Sequence, residues 1–222
     1  MAASSSPTIA HRRLPADERR AQILREAAHL FGTHGFNGTT TRDVAARVGL
    51  TEAALYRYFP SKEAMYTAIL DERLAAPDLT EPVEEFARCG DDRAVFTVLA
   101  LNLLHATETD PSILRLVLFS ALEGHQLARP FQEARIRLLR EFLAGYIERR
   151  SREGAFRGLD PALGARAFIG MVVDHLLVRQ IFGQRAEYPQ SPEAVADTFV
   201  SIFLDGVRTD RERFGAGSPD RG

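Results

Sequence analysis

The sequence predicts an all-α protein, with a small three-helix head at the N-terminus and a larger helical body behind it. Three observations support this. Apolar residues recur at the three-and-four spacing of a helix along most of the chain, and no stretch keeps the period of two that a half-buried strand needs. Three helix starts share one device, a capping side chain with proline behind it: Asp110-Pro111, Asp160-Pro161 and Ser191-Pro192. Between Thr39 and Lys62 the run TTTRDVAARVGLTEAALYRYFPSK reads as a helix, a glycine turn, a second helix, and a Pro-Ser-Lys cap that opens a third.

Residues 1–15 are rich in Ser, Ala and Pro, read as a disordered arm, and end close to His11, Arg12 and Arg13. From Asp17 to about Thr33, Ile23, Leu24, Ala27, Ala28 and Phe31 share one helical face. Asp17 and Glu18 suit the positive helix start, and Gly32 and Gly35 are expected to end the helix. A second helix starts at Thr39 or Thr40, with Asp43 in its first turn and Val44, Ala45 and Val48 inward. Gly49 supplies a left-handed turn that a Cβ would resist. Thr51 caps a third helix running to about Tyr58, with Leu55 inward and Phe59 closing the small core. Pro60 stops it, and Ser61 caps a fourth helix reaching about Ala75. Residues 77–92, with two prolines, Gly90 and many acids, read as a linker with one helical turn around 83–87. Helices are then expected over 92–109, 111–123, 130–153, 161–183 and 192–210. Gly154 ends the third of these, and a disordered tail begins at Gly215.

Bulk properties set limits on function. At 222 residues, 45% apolar and 26% charged, the chain has the make-up of a soluble globular protein able to bury a sizeable core. Net charge is −2, yet residues 12–62 carry nine Arg or Lys against five Asp or Glu, a local excess that suits phosphates. Cys89 is the single cysteine, which excludes an intrachain disulfide and argues against a Cys-based metal site. No 18-residue apolar run and no apolar leader are evident, so a cytoplasmic protein without a membrane partner is expected.

A helix-turn-helix presents one short helix to solvent at a fixed angle, as insertion into the DNA major groove requires. Ala45 at the helix crossing, Gly49 in the turn and Leu55 beneath, with Val44 and Val48, match its spacing; a structural helical corner would show that much. Tyr56, Arg57, Tyr58 and Lys62 add hydroxyl, guanidinium and ammonium donors beside a helix N-terminus, all suited to phosphate. Ala53 and Ala54 are small enough to let the helix approach base edges and thymine methyls. His11, Arg12 and Arg13 either reach along the DNA or form a solvated tail.

The combination T-T-x-R-D-V-A, G-L-T, L-Y-R-Y-F and P-S-K-E, within a match from about Arg20 to Leu70, resembles the tetracycline-repressor (TetR) family of bacterial transcriptional regulators. The resemblance implies an all-α homodimer, with an N-terminal helix-turn-helix DNA-binding domain and a variable C-terminal helical domain. That second domain would dimerise and bind a small effector that relieves repression. By position, the resemblance implies phosphate contacts at Thr40, Tyr56, Tyr58 and Lys62. It implies contacts to bases or groove walls at Arg42, Thr51, Glu52, Ala53, Ala54 and Arg57. Glu52 departs from an ideal groove face, because a carboxylate repels phosphate. It either accepts from a cytosine amino group or neutralises a neighbour, or it serves only the helix dipole.

The resemblance also places pairing on the last two helices. Phe168, Val172, Leu176 and Arg179 share one face; Val195, Phe199, Ile202, Phe203 and Gly206 form another. These faces either pair two subunits or close the monomer core. For an apolar effector cavity the candidates are Phe96, Leu103, Phe119, Phe142, Phe168 and Met171, with Asn102, His105, His125 and His175 as polar contacts; most of the aromatics read equally as core. No metal ligand set or cofactor motif is evident. Asp174 and His175 are adjacent and do not face each other on a helix, and no nucleophile motif accompanies them, so catalysis is not expected.

The expected organisation is an arm (1–15), a DNA-binding domain (16–62), a ligand-binding and dimerisation domain (63–214) and a tail (215–222). The expected function is a repressor released from a pseudo-palindromic operator in double-stranded DNA by a small, lipophilic effector. An activator, an effector-independent DNA-binding protein, and a helical carrier or enzyme remain open alternatives.

Overall fold

The computed structural model describes residues 15–74, 80–109 and 111–209. The arm up to residue 14, the Asp110 cap and the tail from Gly215 lie outside the described residues. The head comprises α1 (Ala16–His34), α2 (Thr41–Arg47) and α3 (Glu52–Leu55), and α4 (Lys62–Leu74) leads out of it. A 3-10 turn (Glu81–Val83) precedes α5 (Glu84–Cys89), α6 (Asp92–Thr109) and α7 (Ser112–Leu122). Then come α8 (Arg129–Phe131), a π-helical turn (Gln132–Ile136), α9 (Arg137–Arg152), α10 (Pro161–Gln180) and α11 (Pro192–Val207). Among the described residues, β pairing is limited to one isolated antiparallel bridge, Phe156 with Arg208.

Local chemistry sets the helix starts. The Asp160 carboxylate accepts the Leu163 N–H at 2.9 Å, the Ser191 hydroxyl that of Ala194 at 3.3 Å, and the Ser61 hydroxyl that of Ala64 at 3.1 Å. Each satisfies an N–H that a helix start leaves without a carbonyl. One expected stop is absent. α1 runs through Gly32, which sits where α7 crosses; a Cβ there would lie 3.5 Å from the Arg115 side chain. The helix ends at Gly35, whose φ of 76° is in the left-handed region.

Two cores hold the chain. In the body, the Phe96, Phe168 and Phe203 rings pack with centroids 4.8, 4.9 and 5.3 Å apart, inside a cluster that runs from Val83 to Val207. In the head, Ile23, Phe31, Val44, Leu55 and Phe59 pack with Met65 and Tyr66 of α4, and with Leu116 and Ala128 of the body. The head's core therefore does not stop at residue 62: α4 is built into it, and α7 lies against it.

The stretch expected to be a linker is different in structure. Residues 75–79 lie outside the described residues, but from 80 onward the chain packs into the body, with Val83 and Ala87 buried. Asp92 is buried as well. It accepts the Tyr146 hydroxyl at 2.6 Å and the Arg150 guanidinium at 2.8 and 3.2 Å. Among the described residues of this stretch, Pro82 lies in the 3-10 turn, Glu84 and Glu85 in the first turn of α5 and Asp92 in that of α6, helix-start positions whose apolar partners are distant in sequence. α10 is apolar on more than one side: although Arg166 and Asp174 interrupt it, mean hydropathy reaches 1.4 in an 18-residue window, enough by length and composition to cross a bilayer. Here it packs against α6, α9 and α11, and Phe168, Ile169, Val172 and Leu176 face the core.

Candidate nucleic-acid interface

Thr40 begins the site. Its hydroxyl accepts the Asp43 N–H at 3.2 Å and donates to the Asp43 carboxylate at 2.6 Å, while the Thr40 N–H donates to the same carboxylate at 2.9 Å. This reciprocal cap fixes the start of α2. The bonds from Thr40 hold the Asp43 carboxyl below the usual carboxylate range. Gly49 turns the chain at φ 68°, with nothing within 4 Å of a Cβ position, so backbone conformation and not space calls for glycine there. Thr51 caps α3 by accepting the Ala54 N–H at 3.2 Å.

α3 proper is four residues long and continues as turns to Tyr58, through Tyr58 N–H to Leu55 carbonyl at 2.9 Å and Phe59 N–H to the same carbonyl at 3.1 Å. Leu55 and Phe59 are buried and pin the rod from beneath. α1 braces it from behind: Arg19 donates to the Val48 carbonyl at 3.2 Å. Arg20 donates to that of Tyr58 at 3.2 Å and stacks 4.2 Å over the Phe59 ring. Outward from the rod stand Thr51, Ala53, Tyr56 and Arg57, with Arg42 exposed on α2 and Ala54 and Tyr58 half-buried. A groove of about 380 Å³ beside it is lined by Thr40, Thr41, Tyr56, Ser61 and Lys62.

Two of the expected contact residues have partners within the head. Glu52 accepts the Thr41 hydroxyl, which lies 3.4 Å from the Tyr56 hydroxyl; the carboxylate thus ties the start of α2 to α3. Lys62 points inward. Its ammonium donates to the Phe36 carbonyl at 2.7 Å and the Thr39 carbonyl at 2.9 Å, and sits 4.1 Å over the Phe36 ring. Two of the three N–H donors of this ammonium are thus engaged within the head.

Sequence reasoning missed the residue that joins head to body. Glu123, at the end of α7, accepts the backbone N–H of Phe36 at 3.1 Å and of Asn37 at 3.3 Å. Those groups open the turn from α1 into α2. His125 stands beside this latch, its Nε2 3.3 Å from the Glu123 carboxylate but out of line for a hydrogen bond, and its ring edge-on to Phe36 and Tyr66 at 5.1 and 5.4 Å. The buried Tyr66 hydroxyl donates to the Leu116 carbonyl at 2.8 Å. Burial first, and then the Glu123 charge, push its pKa up to about 12. No local pattern marks Glu123, because its partners lie 86 and 87 residues away.

The residues expected to line an effector cavity lie in several parts of the molecule. Phe96 and Phe168 are fully buried core, and Leu103, Phe142 and Met171 pack against that core. Phe119 lies against Gly35, and His125 is part of the latch. Asn102 is half-buried, while His105 is exposed and pairs with Glu193 at 3.2 Å. His175 does line a cleft, of about 380 Å³ between α10 and α11. The residues expected at the pairing face divide between interior and surface. Phe168, Val172, Leu176, Arg179, Val195 and Phe203 are buried within the protomer. Both sides of α10 are apolar, so periodicity could not tell its inner side from its outer. Phe199 is half-buried, and Ile202 and Gly206 remain outside, joined by exposed Leu163, Ala167 and Gly170. Among the described residues no three His, Cys, Asp or Glu side chains gather as a metal site would need.

Residues 23–69 match the sequence family described as bacterial regulatory proteins, tetR family, and residues 97–206 match the C-terminal domain of AefR-like transcriptional repressors. The chain is 34% identical over 157 residues to the nucleoid occlusion factor SlmA of Alteromonas mediterranea, covering 68% of this chain and 78% of that one. It is 29% identical over 208 residues to the HTH-type transcriptional repressor KstR2 of Rhodococcus jostii, covering 87% and 96%. Among solved structures, NalD of Pseudomonas aeruginosa superposes with a TM-score of 0.65 at 19% identity, over 88% of this chain and 100% of that one, a likeness of fold alone. AibR, solved with isovaleryl coenzyme A and operator DNA, gives 0.61 at 26% identity, over 83% and 97%.

Proposed function

The chain belongs to the tetR family of bacterial regulatory proteins, and from that premise we propose that it is a dimeric transcriptional repressor released from its operator by a small effector. The observation that carries the reading is the exposed rod from Thr51 to Tyr58, anchored by Leu55 and Phe59 and presenting Tyr56 and Arg57, with Arg42 alongside. Arg57 and Arg42 read base edges, Tyr56 and Tyr58 reach phosphate, and Thr40 and Lys62 hold the groove between them. Repression by KstR2 of Rhodococcus jostii, and the capture of AibR with both an acyl thioester and operator DNA, support extending those roles to this chain.

Two rods can enter successive major grooves only if dimerisation sets them about 34–36 Å apart or at a related spacing. The outer strip of α10 and α11, with Leu163, Gly170, Ile202 and Gly206, is the proposed pairing surface; nothing lies within 4 Å of a Cβ at either glycine, so backbones can approach closely. Effector binding moves α7, and the Glu123 latch passes that movement to the turn before α2. Only an effector that prefers the released arrangement does this, and operator DNA then weakens effector binding by the same factor. The protein works in the cytoplasm, where the chromosome is.

The test is a gel shift of the full chain on DNA flanking its own gene, against a scrambled duplex, over a salt series. Equal affinity for the two duplexes would end the operator reading. The likeness to a nucleoid occlusion factor favours a second reading, a DNA-binding protein without a transcriptional output. Deleting the gene while measuring transcription of its neighbours separates the two: unchanged transcription supports the second.

A further inference from the structure

The body's aromatic core is closely filled, and a cleft of about 380 Å³ opens beside it, between α10 and α11. Its volume lies near the small end of the range for ligand sites. Val178, Val195, Phe199 and Tyr188 line it, and Asp174, Ala194 and Thr198 stand exposed around it. His175 borders the same cleft although only 8% of the residue is exposed. Its ring meets Phe199 edge-on at 5.9 Å, and its buried Nε2 has no hydrogen-bond partner among the described residues. A buried polar atom without a partner is destabilising, and a ligand that supplies the partner recovers that loss. Burial first, and then the Arg179 charge, keep the imidazole neutral at neutral pH, so it offers a lone pair or an N–H and no charge. The Arg179 guanidinium, one turn along α10, is engaged: it donates to the Gln190 carbonyl at 3.0 Å and pairs with Glu108 at 3.3 Å. The Asp174 carboxylate repels an anion, and water at the exposed rim screens its pull on a cation. The cleft therefore suits an uncharged molecule.

We propose that this cleft binds a small neutral aromatic alcohol of the phenol type, its ring against Phe199, Val178 and Val195 and its hydroxyl on the His175 imidazole. The proposal rests on the effector-responsive reading and says where the effector sits and what its chemistry is. The hydroxyl donates to the imidazole lone pair, or accepts the imidazole N–H in the other tautomer. An entering ring parts α10 from α11 and brings the hydroxyl to the imidazole edge. The same parting reaches the head. In the last turn of α10 the Gln180 carbonyl accepts the Arg115 guanidinium of α7 at 2.6 Å. α7 leads directly into Glu123 and its bonds to the Phe36 and Asn37 N–H groups. When the last turn of α10 shifts, Arg115 draws α7 with it and loosens that carboxylate.

The chain has no tryptophan, so binding of β-naphthol to the full-length protein is read from the probe's own fluorescence. The comparison set is its methyl ether, the anion β-naphthoate and the cation β-naphthylmethylammonium. Naphthol is expected to bind at least tenfold more tightly than each of the three. Ala194→Phe fills the cleft from an exposed position, so its fold, checked by circular dichroism, is expected to persist while naphthol affinity drops at least tenfold. His175→Phe keeps a flat ring and removes the nitrogens, and is expected to erase the preference for naphthol over its ether. Should that variant fail to fold, Ala194→Phe and the probe series still decide. Equal binding of naphthol and its ether, tighter binding of either ion, binding untouched by Ala194→Phe, or no binding of naphthol overturns the proposal. A gel shift with and without naphthol keeps the two readings apart: naphthol that binds as expected and leaves DNA affinity unchanged sinks the effector role but keeps the site.

Discussion

Removing the Glu123 carboxylate tests whether the body holds the head. The side chain is 17% exposed, and its two bonds go to backbone N–H groups at the turn before α2. In Glu123→Ala the Asn37 N–H turns to water, whereas the Phe36 N–H belongs to a buried residue and loses its charged acceptor. Hydrogen bonds to a charged group contribute ~1.5–3 kcal/mol, and screening at this partly open site places the net loss near the low end, about 2 kcal/mol. For a chain of this size that corresponds to a melting-temperature drop of roughly 4–8 °C. Glu123→Gln keeps one amide oxygen as acceptor and should lose about half as much. If each freed head also pays about 1 kcal/mol to regain its docking angle, a two-headed complex loses about 30-fold in operator affinity. Scanning calorimetry gives the first quantity and fluorescence anisotropy on operator DNA the second. A Glu123→Ala protein that melts within 1 °C of the parent and binds DNA equally well would refute the latch.

Further expectations follow from the same geometry. Lys62→Ala should lower both stability and DNA affinity, the former by about 2 kcal/mol, because its ammonium closes the turn through two carbonyls; weak DNA binding at an unchanged melting temperature would return Lys62 to a pure phosphate contact. Tyr56→Phe should weaken binding to every duplex alike, whereas Arg57→Ala should change the preference among operator variants by ~1–3 kcal/mol; a uniform loss in both rules out base reading by Arg57. Ile202→Glu, at a position 59% exposed, should leave the protomer folded and shift the assembly to monomers in light scattering; a persisting dimer moves the interface elsewhere. Burial first, and then the Arg179 charge, lower the His175 pKa below its ordinary 6.5, against the opposing pull of Asp174 and Glu108. The unfolded chain therefore takes up this proton more readily, so the contribution is complete above pH 6.5 and is lost as pH falls through the lowered folded value. The melting temperature of His175→Leu should fall less between pH 7 and pH 5 than that of the parent, and parallel slopes would discount His175.

The head was largely legible in the sequence because its signals are local. Thr40, Thr51 and Ser61 each cap a helix by bonding three residues ahead, and Gly49 acts through its own φ. The body was less so. Its helices announce themselves at Asp160 and Ser191, but which side of α10 faces inward depends on α6, α9 and α11, not on its own nearly uniform apolar sequence. Lys62 shows the same limit at the site itself: its residue type suits phosphate, and only the folded turn shows carbonyls on its ammonium. Glu123 was out of reach for the plainest reason, since a carboxylate after a helix has no periodicity and its partners are backbone atoms.

Lys62 has one more consequence, which concerns covalent reactivity. It is the sole lysine in 222 residues, and an amine must shed its proton and expose its lone pair before it attacks an acylating reagent. With two of its N–H groups bonded to carbonyls of the turn before α2, its nitrogen is presented most freely when that turn swings open. The speed at which this one amine is acylated is therefore a clock for fraying of the reading head, and it should slow when duplex DNA holds the head shut.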